Sequence, residues 1–165
     1  MHGARVGVGG RGGGTTRASP KPTPLTSITA FDCGFRCVGE VWRGKLSKCC
    51  FTYEATRQLQ RRNADGTYAA TWDVAYAFCC FGAKVHGTEN MNAECTRAEA
   101  TFSNGTTASK QLATFDSNSV ATYDTTLTTT KGQTRQGKTV VDYRHGTRTY
   151  LPLGDSSAPF TMSKE

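Results

Sequence analysis

The stretch that most constrains the fold runs from Lys48 to Gly82, where two adjacent cysteine pairs, Cys49-Cys50 and Cys79-Cys80, mirror each other about Asn63-Ala64-Asp65-Gly66. The central four residues are a type I turn signal with glycine available for a positive φ, and the flanks alternate as strands do. The segment reads as a long β-hairpin over 48–82. Two registers compete for it. One opposes Cys50 to Cys79, Phe51 to Phe78 and Tyr53 to Tyr76; a one-residue shift sets Cys50 against Cys80 and Phe78 against Thr52. The first is favoured because it gathers Phe51, Tyr53 and Ala55 with Val74, Tyr76 and Phe78 on one face, and aromatic cross-strand pairs contribute roughly 0.2–1 kcal/mol each. A short helix over 53–62 is the alternative for the hairpin's first strand, since Glu54, Ala55, Gln58, Leu59 and Gln60 are good helix formers.

Outside the hairpin the apolar residues come in short alternating runs, not in stripes of helical period, and threonine is abundant between 101 and 150. These features point to an all-β chain. Its length of 165 residues fits one domain with a real core. The expected architecture is an antiparallel β-sandwich or jelly-roll-like body of about eight short strands. Residues 25–153 form this body, residues 1–24 a flexible basic arm rich in glycine and proline, and residues 154–165 a polar tail. Residues 85–94 read as a polar connector between strands. No run approaches the roughly 20 apolar residues of a membrane-spanning helix, so no membrane span is expected. The N-terminus lacks the apolar middle of a recognisable signal peptide.

The formal charge is +7. Arg5, Arg11, Arg17 and Lys21 lie in the arm with no acid among them, and Arg57, Arg61 and Arg62 lie near the tip of the hairpin. Both groups are candidate nucleic-acid contacts. Arg57, Leu59 and Trp72 are candidate assembly contacts, because a hairpin so long needs a partner surface, and Trp42 reads as a core or assembly-contact anchor. The seven cysteines, Cys33, Cys37, Cys49, Cys50, Cys79, Cys80 and Cys95, are disulfide candidates, with a reduced apolar core as the competing reading. No metal site is expected, since CxxC knuckles are absent and adjacent strand residues point to opposite faces. Asn104-Gly105-Thr106 matches the N-glycosylation pattern, though an Asn-Gly turn explains it as well. No motif joins His2, His86 or His145 to a nucleophile, and no phosphate loop or cofactor motif is present; the chain reads as non-enzymatic.

By analogy with small β-rich coat proteins, these features point to a self-assembling structural subunit, a virion coat or capsid component whose arm contacts nucleic acid. It would reside in a virion or an extracellular assembly, with copies of itself as its first partners. The alternative is a secreted or cell-surface β module stabilised by disulfides, serving in a filament or as a binding protein.

Overall fold

The structure is a computed structural model and describes residues 40–154 and 158–165. Ten antiparallel strands follow one another: β1 (Val41–Lys48), β2 (Phe51–Arg62), β3 (Tyr68–Phe78), β4 (Phe81–Met91), β5 (Arg97–Phe102), β6 (Thr107–Phe115), β7 (Val120–Thr128), β8 (Thr134–Asp142), β9 (Thr147–Pro152) and β10 (Phe160–Lys164). Each pairs with its successor, and β10 pairs with β1, so the sheet closes into a barrel. There is no helix among the described residues, and hence none long and apolar enough to cross a membrane. Lys45, Glu54, Asp73, Lys84 and His86 point outward and are exposed, so the outer faces of β1 to β4 carry charged side chains.

The barrel corrects the expected sandwich or jelly roll. Both architectures alternate inward and outward residues, so alternation does not separate them; the connections do. Greek-key and jelly-roll folds need long connections between non-neighbouring strands. Residues 85–94, expected as such a connector, belong instead to β4 and the turn after it. From β1 to β9 consecutive strands then meet through short turns, and with β10 pairing with both β9 and β1 the meander closes on itself. The jelly-roll description falls with the sandwich. Nothing among the described residues ties the chain to a capsid or virion. The expected polar tail contains β10, the strand that completes closure.

The favoured hairpin register holds from Phe51 opposite Phe78 to Leu59 opposite Ala70. A bulge between Leu59 and Arg61 then shifts it by one, so the competing register appears only beside the turn, at Arg61 opposite Ala69 and Arg62 opposite Tyr68. The segment is strand throughout, which excludes the helix. Cys50 faces Cys79 as expected, the Cys79 amide donating to the Cys50 carbonyl at 2.8 Å, but the cysteine pairs form two-residue turns and not strand, Cys49-Cys50 joining β1 to β2 and Cys79-Cys80 joining β3 to β4. They mirror each other because both flank the same end of the β2–β3 pair, one leading into β2 and the other out of β3. Cys49 and Cys79 take φ values of 51° and 50°, the left-handed conformation that glycine normally supplies at such a turn.

The interior falls into two parts. At the end holding the Asn63–Thr67 and Asn92–Thr96 turns, Leu59, Tyr68, Ala70, Met91, Cys95 and Ala98 pack into a closed floor with Leu112, Phe115 and Tyr143. Further along, Trp42, Ala55, Val74, Val85, Ala121, Tyr123, Val141 and Met162 line the wall. Inward-facing glycines let rings lie flat against that wall. A methyl group on Gly87 would stand 2.6 Å from Phe102 Cδ1, and one on Gly44 2.8 Å from Phe160 Cζ.

Candidate functional site: a barrel cavity with a charged base

Alternation sends every second side chain inward, and in the middle and upper barrel many of these are small: Ala55, Gly87, Ala100, Ala108 and Gly137. Ten strands enclose more space than such residues fill. A cavity of about 480 Å³ results, within the range of small-molecule sites. Val74, Phe102, Phe160 and Met162 contribute apolar surface, while Lys48, Phe51, Arg135 and Pro152 place its mouth at the end that carries the cysteine turns.

At the base, just above the floor, four charged side chains occupy inward positions. Glu89 is almost fully buried, at 1% exposure, and its carboxylate is fully engaged. Oε1 accepts from Arg57 Nε at 3.1 Å and Nη2 at 2.7 Å; Oε2 accepts from Trp72 Nε1 at 3.0 Å and Lys110 Nζ at 2.8 Å. Burial alone would raise the Glu89 pKa, but the charges of Arg57, Lys110 and Arg148 outweigh it and hold the carboxyl well below its ordinary range. Lys110 shows the opposite balance: burial, helped by Arg148 and Arg57, lowers its pKa to about 8 despite the attraction of Glu89.

Arg148 completes the group. It is 8% exposed, lines the cavity and stacks with its guanidinium carbon 5.7 Å from the centre of the Trp42 ring. Its Nε and Nη1 are buried without a hydrogen-bond acceptor. Desolvation, with repulsion from Arg57, lowers its pKa. The Thr125 and Thr139 hydroxyls, 2.7 Å apart, also face the cavity. One proton serves their mutual bond, which leaves the other hydroxyl able to donate elsewhere.

Most residues singled out in the sequence lie elsewhere. Arg5, Arg11, Arg17, Lys21, Cys33 and Cys37 fall outside the described residues. Arg57 and Leu59 are inside the barrel, in the charged base and the floor, and not at an exposed tip. Arg62 is exposed at the closed end, its guanidinium 5.8 Å from the Tyr68 ring centre, and Arg61 stands opposite Ala69 in the ladder. Trp42 is buried in the wall and Trp72 lines the cavity, so both face the interior. Cys49, Cys50, Cys79 and Cys80 are exposed thiols at the mouth, none of them in a disulfide; a hydrogen bond with Cys50 pushes the Cys79 thiol up. Cys95 is fully buried in the floor. Asn104 sits in an exposed turn, its Oδ1 accepting from the Thr106 amide at 3.0 Å. His86 and His145 are exposed on the outer surface, paired with Asp73 and Asp142.

The charged base was missed, yet it leaves a signal. Arg57 lies between Ala55 and Leu59, Glu89 between Gly87 and Met91, and Lys110 between Ala108 and Leu112, each in the apolar phase of its strand. A charge in that phase is buried if the strand is half-buried. Comparison of the chain with known protein families, curated proteins and solved structures returns no match, so the geometry alone carries the functional reading.

Proposed function

We propose that the chain is a binding protein that holds a small, largely apolar molecule inside its barrel. The observation that carries this reading is the cavity itself: about 480 Å³ of space, walled by Val74, Ala100, Phe102, Ala108, Phe160 and Met162 and open at one end. Protein interiors are close-packed, and a void of this size forgoes the contacts that filling it would bring. A bound molecule restores them. The reading continues the binding-module alternative and needs no chemistry beyond apolar burial.

The test is titration of the full chain with an uncharged polarity-sensitive dye such as Nile red. A saturable rise in emission at one dye per chain is expected. Ala100 and Ala108 face each other across β5 and β6, and Ala100→Phe or Ala108→Phe puts a ring into the cavity. Either variant should lower the affinity by about tenfold or more, the equivalent of about 1.4 kcal/mol. Absence of saturable binding, or equal binding by the folded filled variants, would contradict the reading.

A further inference from the structure

We propose that the bound molecule is an amphipathic acid whose anionic head is received at the base of the cavity by Arg148 and Lys110, an inference that rests on the binding reading above. Charge balance is the first observation. Three cations, Arg57, Lys110 and Arg148, share one carboxylate, Glu89. Isolated charge in a low-dielectric interior is strongly unfavourable, so the base carries an excess of positive charge that an anion offsets.

Hydrogen bonding is the second and independent observation. All the donors directed at Glu89 are satisfied, whereas Arg148 keeps two buried nitrogens, Nε and Nη1, with no acceptor. Buried polar groups are nearly always paired in folded proteins, and a cavity-lining guanidinium with two unpaired buried nitrogens points to an acceptor that the cavity receives. Charged donors of this kind bond oxyanions strongly. The spare hydroxyl proton of the Thr125–Thr139 pair is a neutral donor on the same cavity wall.

The path into the cavity agrees with an anion. Lys48 and Arg135 stand at the mouth, and Lys110 and Arg148 lie deeper, while Glu89, the only acid lining the cavity among the described residues, is saturated by its own partners. A passage lined by one sign of charge draws in the opposite sign. Above the base the walls are apolar, so the ligand carries a single acid group on an apolar body, with the head inward.

The experiment displaces the neutral dye from the full chain with dodecanoate, dodecyl phosphate and methyl dodecanoate. The ester matches the carboxylate in apolar body and lacks its charge. At least one acid is expected to bind about tenfold or more tighter than the ester, since hydrogen bonds to charged groups are the strong ones. The tighter of the two acids identifies the head as carboxylate or phosphate. In Arg148→Met the preference for acid should fall to about threefold or less while ester binding is retained. Equal binding of acids and ester by the unaltered chain overturns the anion site and leaves the binding reading intact. Failure of all three ligands and of the dye overturns both. The acid–ester comparison on the unaltered chain needs no variant, so the inference stays testable if Arg148→Met does not fold.

Discussion

At one end of the barrel the turns between β2 and β3, β4 and β5, and β6 and β7 begin with Asn63, Asn92 and Asp116, and Asp142, the last residue of β8, leads into the turn to β9. Their side chains hold their own loops. Asn92 Oδ1 accepts from the amides of Thr96 at 2.8 Å and Arg97 at 2.9 Å; Asp116 Oδ1 accepts from Asn118 at 2.9 Å and Val120 at 3.0 Å. In the first three, the residue three positions on takes a positive φ: Gly66, Cys95 and Ser119. Beneath these turns large apolar side chains fill the floor. At the opposite end two turns are made of cysteine pairs, Phe78 and Phe81 stand 60% and 81% exposed, and the inward side chains enclose the cavity. The same alternating strands build both ends. Inward side-chain size and turn chemistry make one a plug and the other a mouth, with the charged base between them.

The boundary between the two regions should be the most sensitive place in the molecule. Glu89→Leu would leave three buried cations without their carboxylate, and breaking a buried ion cluster in this way costs about 3–5 kcal/mol. Urea denaturation measures it, and a loss below about 1 kcal/mol would mean that the cluster does not hold the barrel together. Next in size is the contrast between the ends themselves. Leu59→Ala, in the floor at 1% exposure, should cost about 2–5 kcal/mol, whereas Phe81→Ala at the mouth should change stability by no more than about 0.5 kcal/mol. Similar losses at both positions would erase the distinction.

A pH experiment sharpens the same boundary. Lys110 has its pKa lowered to about 8 in the fold, against about 10.4 for an unperturbed lysine. Between these values the unfolded chain binds the proton more tightly, so unfolding takes up protons. Stability of the unliganded protein from this group therefore rises with pH across the window and levels off above it. Chemical denaturation at a series of pH values should show the rise in the unaltered chain and its absence in Lys110→Met. A fall across the window that depends on Lys110 would contradict the assignment. The smallest effect concerns the loops. Asn92→Ala removes the side-chain bonds of one closed-end turn and should cost about 1 kcal/mol in the same assay.

Much of the fold was legible in the residues and some was not. The Asn63–Gly66 turn and the pairing of Phe51 with Phe78 and Tyr53 with Tyr76 follow from local turn chemistry and from which face gathers the aromatics. Closure was hidden because it depends on where β4 and β10 lie. The first was disguised by Lys84, His86 and Thr88, which point outward, and the second by its brevity, five residues of which only Phe160 and Met162 are apolar. The cysteine pairs were read as strand because turn residues with left-handed φ are usually glycine or asparagine. The cavity was illegible for a different reason. Empty space follows from the sum of small inward residues around a closed circumference, and no single strand reports it. The charges at its base were present in the apolar phase of three strands, where they argue for an interior site and against a nucleic-acid or subunit contact at Arg57.

The central claim is that ligand enters the mouth and stops at the charged base while the closed end stays as it is. The chain has two tryptophans, and the Trp72 indole N–H is bonded to Glu89 at the base. The most direct measurement is a ¹⁵N–¹H correlation spectrum of the labelled chain, recorded with and without a saturating amount of the tighter acid. The Trp72 indole signal and the amides of Ala100 and Ala108 are expected to shift, while those of residues 63–67 and 92–96 stay in place. Shifts confined to the closed-end turns or to the outer wall, with the Trp72 indole unmoved, would contradict the claim.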